Sequence, residues 1–235
     1  MDQRYDAVVI GSGFGGAVTA CRLAQAGQSV LILERGRRYP RHSFPRNYRD
    51  LKAGWLWEHE QGLFDVRPFN EVTLVQGAGY GGGSLIYANV HLRPPADLFE
   101  HGWPASYTRQ ALDPYYDLAA YMLDIQPITR RTTLPKKTVL MKQVAERLER
   151  SAQFCYPNLA INLGPENETK ENKFGVSQTS CSYCGECDVG CNIHAKNTLD
   201  LNYLAVAEQK GAKARTRCEV TKIAPHDGAG YDIWF

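Results

Sequence analysis

The chain has 235 residues, room for one large domain or for one domain and part of a second. With 43% hydrophobic and 22% charged residues its composition is that of an ordinary globular protein, which excludes a disordered tail, a collagen-like repeat and a coiled coil. Its 27 basic and 25 acidic side chains nearly cancel, so nucleic acid is not an expected partner, and its longest purely aliphatic run, residues 30–33, is far too short to span a membrane.

No basic segment followed by an apolar one opens the sequence, so no secretory signal is read. A cytoplasmic location is expected, compatible with peripheral membrane association. Residues 5–10 form an apolar, β-branched run that reads as a strand, followed by Gly11-Ser12-Gly13-Phe14-Gly15-Gly16. Residues 17–26 then read as a helix that Gly27 ends, residues 29–33 as a second strand, and Glu34 closes it. Gly11, Gly13 and Gly16 make G-x-G-x-x-G in the setting that gives the pattern its meaning: strand before, helix after, acid after the second strand. Gly11 permits a tight turn, Gly13 lets the backbone approach a diphosphate, and Gly16 lets the helix pack on the strand. The helix N-terminus offers free amides and a positive dipole end. Glu34 stands where a carboxylate accepts from adenosine ribose hydroxyls. The spacing leaves NAD, NADP and FAD open; Arg35 could meet a 2′-phosphate, but Glu34 beside it disfavours NADP.

This opening, with residues 31–36 (Leu-Ile-Leu-Glu-Arg-Gly), resembles the FAD-binding start of the glucose–methanol–choline (GMC) oxidoreductases, and within them the cholesterol-oxidase-like branch. The resemblance implies an α/β, Rossmann-like FAD-binding fold that starts βαβ and carries an inserted, partly helical portion. It also implies that the chain is the N-terminal part of a longer protein, incomplete at its C-terminus. Residues 1–97 are then the first part of the FAD-binding domain, 98–175 an inserted substrate-side segment, and 176–235 a Cys-rich loop and a return to the first domain.

Residues 37–69, rich in Arg, Trp and Pro, read as an excursion over the cofactor or as a satellite core. After them come Gly77, Gly79, Gly81, Gly82, Gly83 and Ser84, flanked by apolar residues. No strand or helix interior tolerates so many glycines, and such a backbone suits a flat or anionic ligand. The segment resembles the first GMC signature, which runs along the flavin diphosphate to the ring, with Asn89 on the approach to the ring. The candidate cofactor residues are therefore Gly11, Ser12, Gly13, Phe14, Gly15, Gly16, Glu34, Arg35, Gly77, Gly79, Gly81, Gly82, Gly83, Ser84 and Asn89.

In the middle, Asp113-Pro114 reads as a helix N-cap and first turn leading into residues 115–123, and residues 137–151 as a second helix with Val139, Leu140, Val144 and Leu148 on one face. Residues 164–174 read as a loop. Of the seven cysteines, Cys21, Cys155 and Cys218 read as small buried hydrophobes. Cys181, Cys184, Cys187 and Cys191 follow C-x2-C-x2-C-x3-C, the spacing of bacterial ferredoxins, with Asn192 where proline usually follows. They are candidate ligands of a [4Fe–4S] cluster or of zinc, the alternative being a compact thiol-rich loop. His194 reads as a surface or capping residue. Thr198 or Asn197 is expected to cap a helix over residues 199–210 that Gly211 stops. Residues 217–223 and 231–235 read as a strand and its return around a turn at residues 227–230.

The resemblance implies oxidation of an alcohol to a carbonyl, with proton abstraction from the hydroxyl and hydride transfer to the flavin, on a small, hydrophobic alcohol such as a sterol. The family's catalytic histidine and its His or Asn partner lie near the C-terminus of its members. None of the six histidines here stands in a matching motif, so no catalytic residue is named. The chain by itself is expected to hold flavin weakly and to turn over no alcohol, the C-terminal half of the fold being the partner it lacks. Three other classes stay open: a nicotinamide dehydrogenase, a flavin/iron–sulfur electron-transfer protein, and a non-catalytic fragment.

Overall fold

The computed structural model describes residues 3–50 and 52–235. Strand β1 (Ala7–Ile10), helix α1 (Phe14–Gln25) and strand β2 (Val30–Glu34) form the expected opening unit, with the helix beginning three residues earlier than its apolar pattern suggests. A one-turn helix α2 (Trp57–Glu60) precedes the antiparallel pair β3 (Phe64–Pro68) and β4 (Thr73–Gly77), and β4 leads into a 3-10 turn at Gly82–Leu85. Next come β5 (Val90–His91), α3 (Arg109–Met122), β6 (Gln126–Pro127), α4 (Lys136–Arg147) and β7 (Asn158–Leu159), with β7 pairing between β5 and β6. A hairpin of β8 (Thr169–Glu171) and β9 (Ser177–Thr179) leads to the cysteine-rich loop. Helix α5 (Tyr203–Gln209), strand β10 (Lys213–Thr216) and the antiparallel pair β11 (Lys222–Pro225) and β12 (Tyr231–Trp234) complete the described chain.

The site is built on a three-stranded parallel sheet of order β1–β2–β10. Every residue of the central strand β2 is buried, which explains the apolar run at residues 30–33 that precedes Glu34. On α1 the buried residues are Ala17, Ala20, Cys21 and Ala24, a stripe at helical spacing made only of small side chains. That stripe lets α1 lie close against the sheet and against α5, whose Leu204 and Ala207 are fully covered. Ile32 and Val30 fill the same core, each buried aliphatic side chain contributing about 2 kcal/mol relative to exposure. A second, smaller core of Tyr39, Phe44, Leu63 and Leu85 shows residues 37–69 to be a satellite core.

Several expectations need correction. Helix α3 starts at Arg109, capped by Thr108, whose Oγ1 accepts from the Ala111 amide at 3.1 Å. Asp113 is instead held by Arg93 and Arg109, and Pro114 lies inside the helix. No residue of α4 is buried; Val139, Leu140, Val144 and Leu148 are exposed, so its apolar spacing does not report a core face. The loop at residues 164–174 contains β8, and the helix over 199–210 is a 3-10 turn at Leu199–Leu201 followed by α5, which Asn202 caps. Of the strand expected at residues 217–223 only Lys222 and Ile223 are strand, as the start of β11, because β10 already ends at Thr216 and residues 217–221 are irregular. Arg217 breaks the run with a φ of 58°, its amide donating to the Gly36 carbonyl, and Cys218 donates to that of Glu34. Cys21 is buried as expected, but Cys155 is exposed and Cys218 only partly covered.

One acid beside the sheet makes stability pH-dependent. Asp65 on β3 accepts from Arg35 at 2.6 Å and from Arg67 at 3.1 Å. Burial raises its pKa, but the two guanidiniums outweigh burial and hold it below the usual carboxylate value. Such a group contributes stability above its unfolded pKa, about 3.9, and loses that contribution as pH falls through the lower folded value. Urea midpoints of the wild type are expected to fall more steeply than those of Asp65→Asn on acidification below about pH 4. Parallel pH curves for the two proteins would contradict the assignment.

Candidate functional site

The turn between β1 and α1 leaves a backbone cradle open at the helix N-terminus. Gly11 takes a φ of 86°, and Gly13 caps α1 with no side-chain hydrogen bond and no acid in the first turn. The first-turn amides of α1 therefore remain available to an anion. A Cβ added at Gly16 would stand 1.9 Å from the Gly11 carbonyl oxygen, so only glycine allows this approach of helix to strand. A Cβ at Gly11, Gly13 or Gly15 would meet nothing within 4 Å. The first contact serves the fold, and the open positions leave room for a ligand.

The second glycine segment forms the facing wall. A Cβ at Gly82 would lie 2.6 Å from the Cα of Gly13, and one at Gly77 would lie 2.6 Å from the Gly82 carbonyl oxygen. Ser12 joins the two segments: its fully buried Oγ donates to Glu34 at 2.6 Å and accepts from the Gly81 amide at 3.0 Å. Glu34 also accepts from the Ser12 amide at 2.9 Å and the Gly36 amide at 2.8 Å, so much of its hydrogen-bonding capacity is spent inside the protein.

Between these walls lies a cavity of about 660 Å³, within the range of small-molecule and cofactor sites. Of the expected residues, Gly11, Gly13, Glu34, Arg35, Gly77, Gly82 and Gly83 line it. Arg35 does so with its guanidinium committed to Asp65 and stacked at 4.7 Å over Trp57, which leaves it poorly placed for a phosphate. Of the others, Phe14 and Gly15 are exposed and the rest act behind the lining. Gly79 packs on Leu85 and Tyr39, Gly81 supplies a left-handed turn at φ 117°, and Gly16 supports the helix. Ser84 is fully buried, donating to the Gly81 carbonyl at 2.7 Å and accepting from the Leu199 amide at 3.0 Å, so its hydroxyl is not offered to a ligand. Asn89 is buried at a φ of 57° with its Oδ1 unpartnered. Phe14 stays half-exposed and packs edge-on against Tyr87, their ring centroids 5.9 Å apart. The structure adds Ile86, Tyr87 and the stretch Cys218, Glu219 and Val220 to the wall. No motif marks residues 218–220; only the pairing of β10 with β2 brings them to the end of the sheet.

The four clustered cysteines are not gathered into a metal centre in this structure. Their thiols are near enough for one to raise another's pKa, and burial pushes Cys187 up to about 11. Yet among the described residues no group of three or more His, Cys, Asp or Glu side chains is placed to hold a metal ion. Cations fix the loop through its carbonyls: Arg46 donates to Val189 and Gly190, and Arg131 to Cys181. His194 turns its Nε2 to the Tyr39 carbonyl at 3.0 Å, away from any ligand role.

The family model for FAD dependent oxidoreductases matches residues 6–233. A cholesterol oxidase of Acinetobacter baumannii is 34% identical over 97% of this chain and 44% of its own length. A cholesterol oxidase of Mycobacterium tuberculosis is 35% identical over 91% of this chain and 39% of its own. The long-chain-alcohol oxidase FAO4B of Arabidopsis thaliana is 27% identical over 89% of this chain and 25% of its own. Uncharacterized GMC-type oxidoreductases of M. tuberculosis align over 98% of the chain. The chain thus spans less than half the length of these curated relatives. Among solved structures, a variant of formate oxidase from Aspergillus oryzae RIB40 superposes on 98% of the chain and 44% of its own, with a TM-score of 0.57 and 13% identity, which supports the fold alone.

Proposed function

Because the chain belongs to the FAD dependent oxidoreductase family, we propose that it contributes the FAD-binding part of an enzyme that oxidises a CH–OH group to a carbonyl, with a sterol or another hydrophobic alcohol as substrate. The observation that carries this reading is the cavity between two interlocked glycine segments, open where a diphosphate would meet the first turn of α1. FAD, when bound, would supply the acceptor for the electrons that leave the alcohol. The chain's own part is to hold the diphosphate at the amides following Gly13, to present Glu34 to the ribose, and to shield the ligand from water between Ile86, Tyr87 and Val220. A nicotinamide dehydrogenase would have no need of the second glycine wall. An iron–sulfur relay is not part of the proposal, given the placement of the four thiols. Seven free cysteines agree with a reducing, cytoplasmic setting.

The test is a competition. The purified chain is expected to quench FAD fluorescence in a saturable, one-to-one titration that NAD does not displace, and cholesterol or a long-chain alcohol is expected to perturb the bound flavin's spectrum. Displacement by NAD over the same concentration range, or no response to FAD, would overturn the proposal.

A further inference from the structure

A single buried lysine connects the four-cysteine loop to the cavity wall. Lys196 is 1% exposed. Its Nζ donates to the carbonyl oxygens of Leu85 at 2.9 Å, Tyr87 at 3.1 Å and Cys187 at 2.6 Å, which uses all three ammonium protons. Two of these acceptors belong to the glycine-rich segment and one to the cysteine loop. Burial of an ammonium without a directly bonded carboxylate is costly, and carbonyl dipoles alone satisfy this one. Burial accordingly pushes its pKa down to about 8.

The same Nζ lies 5.1 Å from the ring centroid of Tyr87. That ring forms part of the cavity wall, and its hydroxyl donates to the Asn197 carbonyl at 3.0 Å. The cation thus stands beside an aromatic side chain that also packs edge-on against Phe14, in the first turn of α1. The cysteine loop is in turn made rigid by Arg46 and Arg131, and the Lys196 amide faces the Cys191 sulfur at 3.5 Å. Lys196 therefore transmits the position of a rigid loop to the segment that carries Ile86 and Tyr87.

We propose that Lys196 is a positioning residue for the flavin: it fastens the carbonyls of Leu85 and Tyr87 to the cysteine loop and sets the Tyr87 ring as the wall against which the cofactor rests. This rests on the FAD reading of the cavity. A cation beside that wall also favours negative charge in the cavity, so its loss shifts the electronic properties of the bound ring.

The experiment compares the wild type with Lys196→Met, which keeps length and volume but removes the charge and the donors. Circular dichroism and urea unfolding report the fold. FAD titration, the visible spectrum of the bound flavin and its midpoint potential report the position of the wall. The expected result is a folded variant whose FAD dissociation constant rises about tenfold or more, with an altered flavin spectrum and a more negative potential. A folded Lys196→Met with wild-type affinity, spectrum and potential overturns the proposal. Should Lys196→Met fail to fold, Tyr87→Leu serves in its place, since it removes the ring while leaving the ammonium and the backbone carbonyls. Unchanged flavin binding and spectrum in a folded Tyr87→Leu would overturn the proposal equally. A wild type that takes up no FAD overturns the cavity reading and this inference with it, an outcome distinct from a wild type that binds and a variant that binds alike.

Discussion

Gly13→Ala is expected to fold normally and to weaken FAD binding on the order of 100-fold, whereas Gly16→Ala is expected to lose both stability and binding. The two glycines sit three residues apart in one motif, yet their surroundings differ. An added Cβ at Gly13 meets no protein atom within 4 Å, and its backbone, φ −66° and ψ −170°, suits alanine. The cost to the fold is that of a poorer helix cap, about 1 kcal/mol or less. The new methyl group would occupy the space above the first turn of α1, where a diphosphate must approach to reach the amides. At Gly16 the Cβ would fall 1.9 Å from the Gly11 carbonyl oxygen and 3.2 Å from Val9, so the helix must move off the strand. Overpacking of this kind costs about 1–3 kcal/mol or more and opens the turn that shapes the cradle. Urea unfolding and FAD titration on the same preparations separate the effects. A Gly13→Ala chain that binds FAD as the wild type does would remove the diphosphate from this turn.

Glu34→Ala is expected to destabilise the chain by about 3 kcal/mol, beyond its effect on cofactor binding. A carboxylate serving only a ribose would face solvent in the free protein, and its loss would leave stability nearly unchanged. Here Glu34 is 5% exposed and accepts from the Ser12 amide, the Ser12 hydroxyl and the Gly36 amide. Truncation leaves two buried backbone donors without partners and frees the hydroxyl that holds Gly81. Glu34→Gln is expected to fall between the two, because its amide nitrogen must face one of the donors. Chemical denaturation checks both variants; a Glu34→Ala midpoint equivalent to a loss below about 0.5 kcal/mol would contradict the structural role.

The parts of the site that the sequence discloses are those made from consecutive residues. Gly11, Gly13 and Gly16 state a turn, a ligand approach and a packing contact at fixed offsets; the structure shows the turn at Gly11 and the packing contact at Gly16, and leaves open space at Gly13. The second glycine segment was legible as a backbone surface, but not which of its residues would face inward. Ser84 and Gly79 have the chemistry of cofactor contacts and are consumed by Leu199 and by Leu85 and Tyr39, of which Leu199 and Tyr39 are distant in sequence. Arg35 is withdrawn in the same way by Asp65, thirty positions on. Residues 218–220 reach the cavity only because β10 pairs beside β2, a long-range event with no local signature. The cysteine spacing promised convergent ligands, yet convergence depends on what fixes the loop, and Arg46, Arg131 and Lys196 hold its carbonyls rather than gather its sulfurs. Asp113-Pro114 misled for a similar reason: Arg93 and Arg109 take the carboxylate that would have capped α3.

The central claim is that FAD lies between the two glycine segments and against the end of β10. Hydrogen–deuterium exchange of the chain with and without saturating FAD tests it most directly, since the uncapped first-turn amides of α1 exchange freely until a phosphate accepts from them. The account predicts protection by FAD at three separate stretches, residues 11–17, 77–87 and 217–220, with little change along α3, α4 and the β11–β12 hairpin. Saturating FAD that leaves residues 11–17 unprotected, or that protects the hairpin instead, would contradict it.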